Sequence, residues 1–274
     1  GSGDYLIYDS QSHASLHDGI KMGQFRALPF AHNNIQDLRR RLMQVRWKKP
    51  YTNIIVCVEG VYSMDGDIAP LPEIRQICNK YGALLAIDDA HGSGVLGKTG
   101  NGTAEHFDME GEIDLYMGTF SKSFGVTGGF VAGQPEMIDA LRLCARSYMF
   151  SASLPPSIVA GVLAGIDFID RNPERLTMLH DNVRYMVEGL RKLGFEVQCE
   201  TAILPILVPE EIEMKSLISR FHEEGVFVNG VEFPAVPRDK QRVRVSMMAT
   251  FTKEELDFAL KVFEKIGKEF GMIQ

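Results

Sequence analysis

Two stretches of this 274-residue chain, 54–58 (Ile-Ile-Val-Cys-Val) and 83–87 (Ala-Leu-Leu-Ala-Ile), are unbroken runs of apolar residues. A strand with one wet face alternates polar and apolar side chains, so an unbroken apolar strand is buried on both faces. Between the two runs, Pro70 and Pro72 open a helical segment that reaches Tyr81, and Gly82 ends it. Buried strand, helix and buried strand in that order form the crossover of a parallel sheet. The fold class is therefore α/β, a mainly parallel sheet covered by helices.

The same alternation runs through the first two-thirds of the chain. Strand-like runs at 5–8, 25–30, 114–119 and 129–132 are interleaved with helical patterns at 14–22 and 35–47. The second of these helices places Ile35, Leu38, Leu42 and Val45 on one face. After Pro155-Pro156 the character changes. Helical stretches at 157–170 and 174–192 lead to short strands at 195–198 and 203–208. A helix at 214–224, strands at 226–229 and 242–247, and a terminal helix at 253–270 follow. The expected division is a large domain over residues 1–171 and a smaller α+β domain over 172–274.

Composition excludes several function classes. A net charge of -7 argues against a nucleic-acid surface. Cys57, Cys78, Cys144 and Cys199 fall at no metal-binding spacing and read as free thiols of a reducing, cytoplasmic compartment. No apolar run reaches the 18 residues that a transmembrane helix needs. Arg39, Arg40, Arg41, Arg46, Lys48 and Lys49 form a basic cluster, which reads as a solvated helix face.

The chemistry is written at the strand ends. In a parallel sheet the side chains at the carboxyl ends of neighbouring strands converge on one crevice. Those positions hold Glu59, Asp88 and Lys122, three ionisable residues with no use in core packing. Lys122 sits in Thr119-Phe120-Ser121-Lys122-Ser123, ahead of Gly125, Gly128 and Gly129. Its amine can form a Schiff base with an aldehyde, and the surrounding hydroxyls and backbone N–H groups suit a phosphate. Pyridoxal 5'-phosphate carries both groups. A lone Ser-Lys-Ser is ordinarily a solvated loop, and an aspartate after a strand is ordinarily a turn residue; the ordered set of strand ends changes that reading. Asp88 is placed to pair with a pyridinium N–H, and His91 to reach the phenolic oxygen of the same ring. Ser63, four residues after Glu59, is a further hydroxyl donor to a cofactor oxygen. The run 92–97 matches G-x-G-x-x-G, yet it leaves no strand directly and enters no helix, so a nicotinamide site is rejected.

Together, Ser12-His13-Ala14-Ser15, Glu59 with Ser63-Met64-Asp65-Gly66, Asp88-Asp89-Ala90-His91-Gly92 and Thr119-Phe120-Ser121-Lys122 resemble the α-oxoamine synthases. These are fold-type I pyridoxal phosphate (PLP) transferases that condense an amino acid with an acyl-CoA and release CoA and CO2. Phe150-Ser151-Ala152-Ser153-Leu154-Pro155-Pro156 and Arg242-Val243-Arg244-Val245-Ser246 carry the resemblance into the C-terminal part. It implies that Lys122 holds the cofactor as an internal aldimine and then acts as acid and base at the substrate Cα. His13 would stack on the pyridine ring, Asp88 would pair with its nitrogen, and Ser63 and His91 would contact its phenolic oxygen. Thr119 and Ser121 would bind phosphate. Ser151 and Ser153 would be lent by the neighbouring subunit of a homodimer, and Arg244 would clamp the substrate carboxylate, with Arg242 on the same strand face as the alternative. Family members carry a further N-terminal segment, so the resemblance makes 1–171 an N-terminally incomplete large domain. Phe251 stands where many members carry histidine. Within the family the chain looks most like serine palmitoyltransferase, with glycine C-acetyltransferase and 8-amino-7-oxononanoate synthase as alternatives. An inactive fragment or partner subunit of the same fold is a further alternative.

Overall fold

The computed structural model describes residues 2–274, which divide into two compact units. The first comprises 1–62 and 68–171; the second comprises 63–67 and 172–274.

The first unit opens with β1 (Tyr5–Asp9), α1 (Ala14–Met22), β2 (Arg26–Phe30), α2 (Ile35–Lys48) and β3 (Ile54–Glu59). It continues with α3 (Leu71–Tyr81), β4 (Leu84–Asp88), α4 (Thr103–His106), β5 (Leu115–Thr119) and β6 (Gly129–Gly133). Three further helices, α5 (Pro135–Cys144), α6 (Arg146–Met149) and α7 (Pro156–Arg171), complete it. The six strands form one sheet in the order β2-β1-β3-β4-β5-β6, parallel except for β6.

Local chemistry sets these elements. The Asn34 side chain caps α2 by accepting from the Asp37 N–H at 2.9 Å. Leu38, Leu42 and Val45 then face the sheet and are buried against Ile7, Ile54, Val56 and Leu85. Gly82 ends α3 in the left-handed region at φ 59°, where a side chain would be strained. The apolar runs at 54–58 and 83–87 supply the two central strands, β3 and β4. Three helices, α4, α5 and α6, are additional to those the sequence predicts; α4 and α6 span four residues each, too short to show a helical period. The strand expected at 129–132 is present but antiparallel, because a short loop returns the chain from β5 directly.

The second unit contains α8 (Glu174–Leu193), β7 (Ile203–Leu207), α9 (Met214–Glu223), β8 (Asn229–Val231), β9 (Arg242–Ser246) and α10 (Lys253–Glu269). Its sheet is antiparallel in the order β7-β9-β8, and Leu190, Phe195, Phe221, Phe263 and Ile266 are among its buried residues. Two expected strands are corrected here. Residues 195–198 make only an isolated bridge between Val197 and Ile206. Residues 226–228 belong to the exit of α9, where Val226 N–H donates to the Phe221 carbonyl at 3.0 Å; pairing with β9 begins at Asn229.

The linear division at residue 171 does not anticipate one excursion: residues 63–67 cluster with the second unit. Fully buried Arg242 holds them, pairing with Asp65 and donating to the Met64 carbonyl at 3.1 Å. Thr201 Oγ1 also donates to the Gly66 carbonyl at 2.9 Å.

Candidate active site

Strand register brings the ionisable residues of the first unit together. Glu59 and Asp88 are direct partners at the ends of β3 and β4, and Asp88 is opposite Met117 on β5. Lys122 follows three residues beyond the end of β5 and is exposed. The ladder continues past the strand ends: Gly60 N–H donates to the Asp88 carbonyl at 2.8 Å, and Asp89 N–H donates to the Met117 carbonyl at 2.8 Å. The exits of β3, β4 and β5 therefore start from a common edge.

The loop of Lys122 is shaped from both sides. Phe120 N–H donates to the Gly128 carbonyl at 2.9 Å, and Val126 N–H donates to the Phe120 carbonyl at 2.9 Å. Phe120 stacks on Phe130 at 5.6 Å and meets Phe124 edge-on at 5.8 Å, an aromatic foot that fixes where the loop leaves the sheet. Ser123 Oγ donates to the Ser93 carbonyl at 2.7 Å. That bond ties the lysine loop to the segment that carries Asp88 and His91. Gly94 lies against Ser123 at φ 77°, so a side chain there would be strained and would collide with that serine. The glycines of 92–97 thus serve a packed turn. The chain enters the short α4 only at Thr103, as befits a run that is not a dinucleotide fingerprint.

Thr119 Oγ1 and Ser121 Oγ lie 2.9 Å apart, and Ser121 N–H donates to Thr119 Oγ1 at 3.3 Å. Two hydroxyls and an N–H on one turn make a small polar cup. His13 is the N-cap of α1, exposed, with its Nδ1 accepting from Ser15 N–H at 3.2 Å. Asp88 is half-buried, and its Oδ1 accepts from Ala90 N–H at 3.1 Å. Cys57, on β3, has its thiol pushed up to about 12 by burial and by the Asp88 and Glu59 charges, so it stays protonated and inert.

Asp89 escaped the sequence reading. It is fully buried and accepts from Thr103 N–H at 2.9 Å, from Thr103 Oγ1 and from the Tyr116 hydroxyl. Burial raises its carboxyl above the ordinary range, the Thr103 and Tyr116 hydrogen bonds opposing that rise. The Tyr116 phenol is raised in turn, by burial and by the Asp89 charge. Gly60, Gly92 and Gly102 surround this carboxylate so closely that a Cβ at any of them would run into it. A signal was present: adjacent residues at a strand end face opposite ways, so only one aspartate of the pair can look into the crevice.

Ser63 and Arg244 belong to the second unit, where Arg244 Nε donates to the Ser63 carbonyl at 2.7 Å. Arg244 is half-buried, burial lowers its pKa, and no ion pair to it is found among the described residues. Arg242, by contrast, is committed to Asp65. Ser151 and Ser153 are exposed in the segment between α6 and α7.

The donor set fits pyridoxal phosphate. An amine, a carboxylate and an imidazole stand on adjoining strand exits, and a hydroxyl–amide cup lies one residue from the amine.

Comparison with known proteins gives the same picture. The aminotransferase class I and II family profile matches residues 1–263. An 8-amino-7-oxononanoate synthase from Symbiobacterium thermophilum is 43% identical over 274 residues, covering 100% of this chain and 69% of that protein. Another, from Thermoanaerobacter pseudethanolicus, is 43% identical over 272 residues, covering 99% and 68%. Among solved structures, a Sphingomonas wittichii serine palmitoyltransferase superposes with a TM-score of 0.94 at 37% identity. It covers 100% of this chain and 69% of that one. A serine palmitoyltransferase described as holding a PLP internal aldimine superposes at 0.95 and 36% identity, with the same coverage.

Proposed function

We infer the chain's chemistry from one premise: it belongs to the aminotransferase class I and II family, and within it to the PLP-dependent acyltransferases of the α-oxoamine synthase group. The reading is a decarboxylative condensation of a small amino acid with an acyl-CoA thioester, giving an α-oxoamine, CoA and CO2. The bond that ties the Lys122 loop to the Asp88–His91 segment carries it, because amine, carboxylate and imidazole must act at one ring.

When bound, pyridoxal phosphate supplies an aldehyde for amines and a ring that accepts the electron pair released at the amino acid's Cα. Lys122 would hold the cofactor through its amine, and its Nζ would serve as the acid and base that moves the proton at the amino acid's Cα. Asp88 would keep the ring nitrogen protonated by offering it a carboxylate. His91 and, by its motif, Ser63 would donate to the phenolic oxygen, His13 would cover the ring, and Thr119 and Ser121 would hold the phosphate. Arg244 takes the substrate carboxylate, where its planar fork can bind both oxygens. The assignments of Ser63 and Arg244 rest on their motifs. Ser151 and Ser153 serve the site of a second copy in a homodimer. Exposed Tyr148 and Phe150, beside them in the chain, supply apolar surface for such a contact.

Two acyl donors are carried by different observations. Gly225-Val226-Phe227-Val228-Asn229 followed by Phe233-Pro234-Ala235-Val236-Pro237, and the close superposition, favour a palmitoyl donor, as in serine palmitoyltransferase. The higher identity favours a pimeloyl donor, as in 8-amino-7-oxononanoate synthase. The test is CoA release from the full-length holoprotein with glycine, alanine or serine against acetyl-, pimeloyl- and palmitoyl-CoA, with CO2 counted. CoA and CO2 in equal amounts from one pair identify the substrates. Transamination without CoA release from any pair defeats the reading.

A further inference from the structure

We infer that the outward face of α2 and the turn after it form a docking surface for an anionic lipid bilayer. This does not rest on the proposed reaction.

The helix buries Leu38, Leu42 and Val45 and turns the stripe Arg39, Met43, Trp47 outward. Trp47 is 89% exposed, Met43 52% and Tyr51, in the following turn, 99%. A single exposed apolar residue is ordinary. An indole and a phenol almost wholly in water, with an exposed methionine one helical turn away, form a patch. Indole and phenol pair an apolar body with a polar tip, the combination that suits a membrane–water interface.

Charge selects the partner. Between Gln36 and Thr52 the chain carries six cations and a single acid, Asp37, although the whole protein is at -7. Asp37 pairs with Arg40 and lies 3.8 Å from Arg41. Arg39, Lys48 and Lys49 are exposed around the apolar stripe. Arg46 donates only to carbonyls, those of Tyr81 (2.6 Å), Pro50 (3.1 Å), Thr52 (2.6 Å) and Gly82 (2.8 Å), so its charge is not cancelled by an acid. The same bonds staple the turn to the amino-terminal edge of the sheet, which holds the patch in shape before any lipid arrives. An apolar strip rimmed by cations on a convex helix is the make-up of an interfacial helix. A single-stranded nucleic acid would want a groove that tracks its backbone. The patch lies at the edge of the sheet opposite Lys122, so docking leaves the strand exits open.

Trp47 is the only tryptophan in the chain, so its emission reports this patch alone. This 274-residue chain, loaded with pyridoxal phosphate, is titrated with phosphatidylglycerol–phosphatidylcholine vesicles and, separately, with phosphatidylcholine vesicles. The expected result is a blue shift and shielding from an aqueous quencher with the anionic vesicles only, weakened by salt. Lys48→Glu/Lys49→Glu lowers the vesicle-bound fraction by about tenfold or more. Trp47→Ser/Tyr51→Ser abolishes co-sedimentation with vesicles and leaves melting temperature and turnover of a soluble thioester unchanged. Four results overturn the inference: no shift at millimolar lipid, an equal shift with neutral vesicles, a larger shift with an RNA oligonucleotide, or emission that is blue and shielded before lipid is added. The last would mean that protein already covers the patch.

Discussion

The rim of the first unit carries exposed Lys122 and half-buried Asp88 and His91, whereas the layer behind it, around Asp89, Thr103 and Tyr116, is closed and saturated with hydrogen bonds. Asp88 and Asp89 stand next to each other in the chain on either side of that line. Both layers are polar and both are rich in glycine, yet glycine does different work in each. Behind the rim, Gly60, Gly92 and Gly102 make room for a buried carboxylate. At the rim, Gly94 lets one loop approach another. A reactive group must be free to exchange partners, and the frame that aims it must not.

The largest effect separates the two layers outright. Lys122→Ala removes the covalent anchor and the acid/base at Cα together, so turnover falls by at least about 10²–10⁴-fold. The melting temperature of the apoprotein stays within a degree or two, because Lys122 is exposed. Steady-state kinetics beside calorimetry checks both halves. A large loss of stability would move Lys122 into the frame.

Gly102→Ala does the reverse. Residue 102 has φ 96°, and a new Cβ meets both the Asp89 carboxylate and the Tyr116 hydroxyl. Strain and overpacking together cost about 2–5 kcal/mol, read by urea denaturation, while turnover per folded molecule is retained. An unaltered urea midpoint would show that the layer behind the rim is softer than its hydrogen bonds imply.

The two arginines of β9 repeat this contrast in the second unit. Arg242 is 2% exposed and committed to Asp65, whose carboxylate is partly solvated, so Arg242→Ala costs about 2–3 kcal/mol of stability. Arg244→Ala leaves stability nearly unchanged and raises KM for the amino acid. The opposite pattern would exchange their roles.

Much of this was legible from the amino-acid order. Apolar runs and glycine and proline stops reveal β3, α3 and β4, because burial on both faces leaves a sequence only one composition. Lys122, Asp88 and His91 stand out as ionisable residues at strand exits. The frame was harder to see. Asp89 looks like any turn aspartate, and its burial depends on Thr103 and Tyr116, 14 and 27 residues further along. Arg242 and Arg244 have the same type and the same face in the sequence; burial and the Asp65 ion pair of Arg242 tell them apart. The basic run at 39–49 reads as a uniform solvated face, yet Arg46 is spent on backbone carbonyls, and the apolar Trp47 stays in water.

The smallest effect tests how the frame responds to acid. Glu105 and Asp89 both brace the loop after Asp88, and their carboxyls are shifted in opposite directions. Burial alone would raise Glu105, but the Thr99 side chain and the Asn101 and Thr99 N–H groups hold it below its ordinary 4.5. Its contribution is therefore complete above about pH 4.5 and is lost as pH falls through the lower folded value. Asp89 is raised above 3.8 by burial, so its charge state favours the fold at low pH and that advantage fades as pH climbs through the raised value. Acidification should thus weaken the Glu105 clamp, worth about 1–2 kcal/mol, while easing the cost of the buried Asp89 charge. Glu105→Gln keeps the shape and loses the titration, so its unfolding free energy should fall less than the wild type's between pH 7 and pH 3. Asp89→Asn should shift the balance the other way, with the fall in acid becoming steeper than in the wild type. If neither variant changes the slope, these two carboxylates do not govern the acid response of the loop, and the closed layer owes its rigidity to packing.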